Sequence, residues 1–599
     1  MPNPHPTEER GLKMNSQMVN IRFTTQPVNK KILTQPGKTV SLLLMFIALS
    51  TVSLAQNKTA DKHNEQVLIV GSVDPSVNQS YKINLMPEAP EMPKVNKEFD
   101  FKPINKYFYT PVTFKPIKAA TIRADKPGDI YNNMVKAGFG SRLTPYAEFF
   151  HSQTHKGKFR FDAHLKHIST YGKIKDYSPA PSSLSLAEVS FDKFFRYQTL
   201  TLGGGYRYNT NRYYYATDDF PNIDDSTRNF KQAYNLAFFD ASFVSHYKNN
   251  DKLHHKIRLH SYYYFNKYQT TELSAALDFD FHKSYAVTDI LEYQYLGLEG
   301  GTAYFNNEDT IIHTSDIYVN VTPYYKASYG IFRFKAGVNL AFLKADSVSK
   351  FKIYPDVEIN VNLFPGYLQL YTGINGGLQK ISYRKLTEEN PFISMVVTNS
   401  WLNNKIGVYG GLKGNINKQV GFNVKAAWRK FENEYFFVNI PSQIMQQAPG
   451  MPNELYMVND TGSVFTVEAQ ISYQYSNRLN LYASYVNNTY SLSCLEHPYG
   501  KLLSELKVGG SYLIATRFKP WMELVYVGKR WYFSGLDSAG FTPGELPEFF
   551  DLNLGLEYQY DNHFSGFIKA TNLLNNHYDY FYGHPNYGME IMLGISYKF

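Results

Sequence analysis

Histidine, carboxylate, serine and cysteine side chains are the groups in this sequence that could carry out chemistry, and their spacing limits what that chemistry could be. The 599 residues include 16 histidines and a single cysteine, Cys494. One cysteine excludes an intramolecular disulfide framework and any multi-cysteine zinc or iron–sulfur site. No spacing of serine, histidine and aspartate stands out as a catalytic constellation. The sequence therefore predicts a protein that is not an enzyme, with no catalytic residue, no cofactor and no metal site.

Two clusters of possible metal ligands are better explained without a metal. His254 and His255 are adjacent on a predicted strand, so their side chains point to opposite faces and cannot share one ion. The segment 218–225 carries four aspartates, and carboxylate oxygens suit Ca²⁺. A solvated acidic loop on the outside of the molecule is the interpretation that we favour for it.

Tyrosine clusters lie near the ends of predicted strands, at 213–215, 262–264 and 578–582. Amphipathic rings anchor membrane proteins at the water interface, so an interfacial girdle is the favoured interpretation. Stacking of these rings on a sugar or a peptide, by external loops, is the alternative.

The elements that carry these residues are strands from about residue 131 to the end. Aromatic residues make up 16% of the chain, and such side chains favour a pleated surface. Apolar and polar residues alternate with a period of two in 332–342, 351–363, 420–429, 465–475 and 550–560. The pleat places the two sets on opposite faces, and in 420–429 and 465–475 it puts Lys425 and Glu468 on the polar face.

The length of these segments separates a membrane barrel from a soluble sandwich. Sandwich strands typically have about 5–6 residues, whereas a tilted membrane strand needs about 9–11. Strands in lipid must pair on both sides, so they close into a barrel. Short and long connections alternate along the chain, as in outer-membrane barrels, except near 142–143 and 268–270. We predict an all-β, antiparallel transmembrane barrel of about 22 strands, within a range of about 14–22.

The last strand is the most specific signal in the sequence. Its apolar face ends on an aromatic residue at the C-terminus, and it is the predicted barrel-assembly signal: Met589, Ile591, Leu593, Ile595, Tyr597 and Phe599. Together with 570–575, 578, 582–585 and 588, the end of this strand at 593–599 resembles the C-terminus of TonB-dependent receptors of the Bacteroidetes type. The resemblance implies an outer-membrane barrel in a Gram-negative cell envelope.

The N-terminal 130 residues differ from the remainder of the chain. Residues 1–55 contain a positive region, a short apolar core and small residues before Gln56, which predicts a secretory signal peptide cleaved after Ala55. Residues 56–130 hold eight prolines, which disfavour long helices and central strands. This segment is a periplasmic arm that docks onto something, or else a disordered spacer. It is too short for the folded plug of the receptors that the C-terminus resembles, so we expect the barrel, 131–599, to lack one.

Two functions follow from these features. The first is uptake or passage of a small nutrient across the outer membrane; the second is a structural or accessory barrel within an envelope complex, without transport. Expected partners are outer-membrane lipid, the barrel-assembly machinery and other envelope proteins or a surface lipoprotein. The net charge of +9 is scattered along the chain, which argues against nucleic acid. A barrel of this width needs an occluding element: the arm, inward-folded loops or a partner protein.

Overall fold

The computed structural model describes most of the predicted barrel region. Two of the predicted segments, the signal peptide at 1–55 and the arm at 56–130, lie outside the described residues, as does most of the acidic loop at 218–225. The described residues are 131–153, 157–218, 230–248, 251–309, 313–346, 348–394, 400–439, 453–537 and 540–599.

Strands dominate the described part of the chain, with one short helix, α1 (Tyr383–Glu389), between β13 and β14. None of the helices in the described ranges is long and apolar enough to cross a membrane. The strands are β1 (Asn133–Gly140), β2 (Thr144–Ser152), β3 (Phe159–Thr170), β4 (Ser182–Phe194), β5 (Gln198–Arg212), β6 (Lys231–Ser245), β7 (His254–Asn266), β8 (Thr271–Ser284), β9 (Glu292–Glu308), β10 (His313–Tyr329), β11 (Phe332–Ala345), β12 (Val348–Phe364), β13 (Leu368–Ile381), β14 (Ser400–Asn415), β15 (Val420–Asn439), β16 (Leu455–Tyr475), β17 (Leu479–Leu492), β18 (Ser504–Tyr512), β19 (Phe518–Val527), β20 (Arg530–Asp537), β21 (Gly540–Leu546), β22 (Phe549–Gln559), β23 (Phe564–Thr571), β24 (Asp579–Phe581), β25 (His584–Pro585) and β26 (Glu590–Lys598).

Twenty-two of these strands form one closed antiparallel sheet. Each strand pairs with its neighbours along the chain, and the last strand, β26, pairs with both β23 and β1. In the closing pair Gly138 lies opposite Gly594. Closure leaves no strand edge unpaired, which a barrel in lipid requires. The predicted 22-stranded outer-membrane β-barrel is therefore confirmed. Two hairpins, β20–β21 and β24–β25, stand outside the sheet within connections at one end.

The two faces of the sheet differ as the alternation predicts. Phe351 and Ile353 on β12 are 60% and 62% exposed on the outward face. Polar side chains on the inward face converge because that face is concave, so their contacts reach across an intervening strand. Lys335 Nζ on β11 lies 2.6 Å from Glu299 Oε1 on β9. Lys425 and Glu468 lie on the inward face, as predicted, and there Lys425 Nζ is 3.5 Å from Glu468 Oε2.

Glycines let aromatic rings lie flat against the inward face. Tyr371 on β13 is the cross-strand partner of Gly411 on β14, and Tyr409 on β14 is the partner of Gly373 on β13. A Cβ atom added at Gly411 would lie 2.5 Å from the Tyr371 ring, and one added at Gly373 would lie 2.4 Å from the Tyr409 hydroxyl. A larger residue at either glycine would push the ring into the lumen.

The two ends of the barrel carry connections of different length, as predicted. The short turns share the end where β1 starts and β26 finishes: 153–158, 195–197, 246–253, 285–291, 330–331, 365–367, 416–419, 476–478, 513–517 and 560–563. The other end, which we call the outer end, carries most of the longer connections: 141–143, 171–181, 213–230, 267–270, 309–312, 346–347, 382–399, 440–454, 493–503, 528–548 and 572–589. Four of the outer connections are short, 141–143, 267–270, 309–312 and 346–347, and the sequence placed the first two of them at this end.

Candidate functional site at the outer end of the barrel

Helix α1 occupies the outer connection between β13 and β14. The Ser382 hydroxyl oxygen accepts a hydrogen bond from the Lys385 backbone N–H at 3.1 Å and so caps the start of the helix. The Asn390 N–H donates to the Leu386 carbonyl at 2.8 Å where the helix ends. A helix of this length is unstable alone, so packing against the barrel must hold it.

The strands β7 and β8 hold α1 against the barrel wall. The backbone N–H of Tyr383 donates to Glu272 Oε2 at 2.6 Å, which satisfies a free amide in the first turn and places a carboxylate at the positive end of the helix dipole. The hydroxyls of Tyr264 and Thr387 lie 2.5 Å apart. Leu386, on the same helix, has no exposed surface. The helix is therefore fixed by both polar and apolar contacts.

Phe392, just after α1, joins three outer connections that start from different parts of the barrel. Its ring stacks on His584, with centroids 4.0 Å apart, in the last outer connection. It meets Tyr214 edge-on at 5.4 Å and Tyr213 at 6.1 Å, both in the connection between β5 and β6. The Tyr214 hydroxyl in turn donates to the Pro585 carbonyl at 2.9 Å. We call the assembly of 382–394, 213–215 and 572–589 the outer cap.

A buried apolar cluster lies under the outer cap. It combines α1 and the segment after it with side chains from β6, β7 and β13–β16, so it spans much of the barrel's circumference. Its buried members are Tyr234, Leu236, Tyr264, Ile381, Tyr383, Leu386, Ile393, Leu402, Phe431, Tyr435, Phe436, Phe437, Leu455 and Val464. Inward-folded loops were one of the three predicted occluding elements, and these contacts show such loops at the outer end.

Lys501 and His584, both in outer connections, are buried. Lys501 Nζ lies 3.8 Å from Glu389 Oε1 and 3.6 Å from Glu434 Oε1, and 3.5 Å from the Tyr435 ring centre. Burial lowers the pKa of the Lys501 ammonium, and the two carboxylates oppose that effect. Burial also lowers the pKa of the His584 ring, from 6.5 to about 3. His584 is therefore neutral wherever the cap is closed.

A cavity of about 400 Å³ lies on the inward face of β4–β8, next to α1. Arg207 Nη1 on the wall lies 2.9 Å from Glu388 Oε1 on α1, and Arg384 Nε lies 3.4 Å from the same oxygen. The Arg384 guanidinium also covers the ring of Tyr262, 4.4 Å from its centre. Two arginines and an aromatic ring thus form the part of the cavity nearest the cap.

The other end of this cavity carries two aspartates, with Arg258 and His260 beside them. Asp240 on β6 lies opposite His260 on β7, and Asp278 on β8 lies opposite Arg258. His260 Nδ1 is 3.5 Å from Asp278 Oδ2, whose side chain is 56% exposed. Within the described ranges, no group of three or more His, Cys, Asp or Glu side chains could hold a metal ion. The cavity wall offers charged side chains of both signs for ion pairs and hydrogen bonds.

The predicted assembly residues lie along β26 and at its two ends, on the outward face. Their side chains are exposed and apolar, a surface suited to contact with lipid: Met589, Ile591, Leu593, Ile595, Tyr597 and Phe599. Apart from Met589, which ends the connection 572–589, they lie outside the outer cap, and none of the six lines the cavity. Their role in barrel assembly stays a prediction.

The girdle interpretation of the tyrosine clusters is wrong for 213–215. All three tyrosines there are buried, and the Tyr213 hydroxyl donates to the Ile393 carbonyl at 2.8 Å. In 262–264 only Tyr263 is on the exposed, outward face. The girdle interpretation fails there because a ring near a strand end can bury its apolar surface against a folded loop as well as against lipid.

Phe392 and α1 were not identified from the sequence, and His584 was included only in the segment that carries the C-terminal resemblance. A signal for α1 was present, because a serine at Ser382 and the pair Asn390-Pro391 bracket it as start and stop residues. No comparable signal marks Phe392 or His584. His254 and His255 lie on opposite faces as predicted, stacking on His282 and Phe243 respectively, and Cys494 is exposed.

Comparison with known proteins identifies the fold. No family model and no curated protein matches the sequence. Among solved structures, the chain is similar to the ferripyoverdine receptor of the Pseudomonas aeruginosa outer membrane, with a TM-score of 0.57, 12% identity and coverage of 79% of this chain and 72% of that one. The ferric-catecholate import receptor Fiu of E. coli K12 has a TM-score of 0.57 and 10% identity, and the match covers 79% of this chain and 82% of that one. The siderophore receptor PirA of Acinetobacter baumannii has a TM-score of 0.59 and 10% identity, and the match covers 78% of this chain and 80% of that one.

These neighbours are outer-membrane receptors, and at this level of identity the likeness concerns the fold. The resemblance to TonB-dependent-receptor barrels that the C-terminal residues indicated is thus confirmed for the barrel itself.

Proposed function

We propose that this chain is an outer-membrane passage protein for a small hydrophilic nutrient, closed at its outer end by the outer cap. The observation that carries the proposal is the junction at Phe392, where loops from separate parts of the barrel meet above a charged cavity. Such a junction closes a lumen without filling it. The three fold neighbours, which are receptors for pyoverdine, ferric catecholates and siderophores, support uptake rather than catalysis.

An accessory barrel that transports nothing is the second candidate. Its support is the buried apolar cluster of the outer cap, where Leu386, Ile393 and Phe431 have no exposed surface, as in the interior of a stably folded domain. A permanently closed cap of that kind would serve as a platform for other envelope proteins.

Conductance in planar bilayers separates the two functions. Ile381 and Ser400 are cross-strand partners, so an Asn-Gly turn can replace 382–399 without disturbing the pairing of β13 with β14. We expect the wild-type barrel to conduct little and this variant to open stable ion-conducting steps. Because the arm could also occlude the lumen, both proteins are measured with and without residues 56–130.

A loop replacement at another outer connection is the matched control. Val527 and Phe549 are also cross-strand partners, so the same turn can replace 528–548 and leave Phe392 and α1 in place. Heat-modifiable migration in gels verifies that each barrel is folded. If the folded variant without 382–399 stays closed, with and without the arm, the passage function is wrong and the accessory function stands.

A further inference from the structure

Two arginines lie at one end of the cavity beside α1, and two aspartates lie at the other end, beside Arg258. Arg207 and Arg384 lie at the end nearest the outer cap, where both hold the Glu388 carboxylate. Asp240 and Asp278 lie toward the opposite end, on the inward faces of β6 and β8. A ligand that satisfies both ends must carry a negative group and a positive group, separated by the length of the cavity.

The spacing of the two ends follows from the register of the strands. Arg207 lies opposite Leu236 on β6, and Asp240 is four residues further along the same strand. At about 3.4 Å per residue, the two positions are about 14 Å apart along the strand. The charged groups themselves are closer together than this, because the arginine and aspartate side chains reach toward each other. A chain of three residues, extended at about 3.3–3.6 Å each, spans what remains.

The middle of the cavity combines two aromatic rings, Phe238 and Tyr262, with the Glu188 carboxylate at the same level of the wall. Leu236 lies at the arginine end, opposite Arg207. Its volume of about 400 Å³ lies within the range of about 300–1,000 Å³ that small-ligand sites occupy. An aromatic side chain in the middle of the ligand would pack against Phe238 and Tyr262.

We infer that this cavity binds a short zwitterionic peptide, with its carboxylate between Arg207 and Arg384 and its amine at Asp240 and Asp278. The Glu388 carboxylate, which is partly exposed, occupies the carboxylate position when no ligand is bound and competes for it. The inference rests on the proposed passage function and names its substrate class.

Binding to the purified full chain in detergent, measured by isothermal titration calorimetry, tests the inference. The probe is the tripeptide Ala-Phe-Ala, compared with its C-terminal amide and its N-acetyl form, which each lack one charge. We expect the zwitterion to bind about tenfold or more tightly than either derivative, because each end makes a charge-assisted hydrogen bond. Equal binding of all three, or no binding of any, would overturn the inference.

Substitutions in the cavity test which charged group of the tripeptide binds at each end. Arg384→Gln should weaken binding of the tripeptide about tenfold, whereas Glu388→Gln should strengthen it by removing the competitor. A purely structural role for Glu388 predicts no strengthening, so that result would refute the competition. Arg160→Gln, which breaks a lumen ion pair with Asp192 outside the cavity, is the control and should leave affinity unchanged.

A second variant covers the case in which Arg384→Gln does not fold. Asp278→Asn should reduce the affinity of the zwitterion to that of its N-acetyl form, and an unchanged preference for the zwitterion would contradict the site. Failure of this inference is distinct from failure of the passage function. Conductance without peptide binding would refute the substrate class alone. Peptide binding without conductance in any barrel variant would refute the passage function.

Discussion

Replacing Phe392 with alanine should loosen the outer cap without unfolding the barrel. The ring makes three aromatic contacts, to His584, Tyr214 and Tyr213. Truncating a phenylalanine in a core costs about 3–5 kcal/mol, and we take the lower value because Phe392 is only partly buried. About 3 kcal/mol raises the equilibrium constant for local opening by a factor of about 150.

Hydrogen exchange of the cap amides measures this opening. The Ser394 N–H donates to the Leu455 carbonyl at 2.7 Å, and the Leu455 N–H donates to the Phe392 carbonyl at 3.0 Å. Both amides should exchange about 150-fold faster in Phe392→Ala, whereas those of β11 keep their wild-type protection. Phe351→Ala, on the exposed outward face of β12, is the matched control and should change neither set.

Two results would refute this reasoning. If the amides of 394 and 455 exchange at the wild-type rate in Phe392→Ala, the aromatic junction does not hold the cap closed. If the amides of β11 accelerate by the same factor, opening of the cap and unfolding of the barrel are one event, and the outer cap is not a separate unit.

Three further predictions test other parts of the structure. Because burial lowers the His584 pKa to about 3, the closed cap excludes a proton that the open cap binds below pH 6.5. Cap protection should therefore fall by about 2 kcal/mol from pH 7 to pH 5, and His584→Gln, followed by the same hydrogen-exchange assay, should remove that slope. Lys380→Met leaves the Asp316 carboxylate, which has no exposed side-chain surface, without its cation at 2.7 Å. It should destabilise the barrel by about 3–5 kcal/mol in thermal melts, whereas the same change at the partly exposed Lys425 should cost under about 1 kcal/mol. Deletion of Phe599 should lower the yield of heat-modifiable barrel in outer membranes if β26 is the assembly signal; an unchanged yield would remove that role.

The barrel wall could be predicted from the sequence because its pattern is local. In 351–363 the apolar residues Phe351 and Ile353 recur every second position, and the pleat alone sends them outward. The same parity placed Lys425 and Glu468 in the lumen. The alternation of short and long connections needed only the strand boundaries, so it also carried over to the structure.

The outer cap could not be predicted in the same way because its contacts are long-range. Tyr213 and Tyr214 meet Phe392 and His584 from positions far apart in the chain, and no period in a loop sequence encodes such a meeting. A tyrosine cluster near a strand end has the same sequence pattern whether its rings contact lipid or a folded loop. The cavity could not be predicted for the same reason. The alternation along β5 places Arg207 in the lumen, but Arg384 and Glu388 reach the cavity only because α1 folds against the wall.

The magnitudes decide what a ligand in the cavity can do to the outer cap. Displacing Glu388 from Arg207 breaks an ion pair whose side chains are 37% and 40% exposed, and such a pair contributes at most about 1 kcal/mol. Burying Leu386 completely contributes about 1.5–3 kcal/mol, and it is one of many buried side chains in the cluster. Peptide binding therefore selects the substrate but does not open the cap. Opening requires an event that acts on the aromatic junction or on the apolar cluster, such as protonation of His584 at the junction or the docking of another envelope protein.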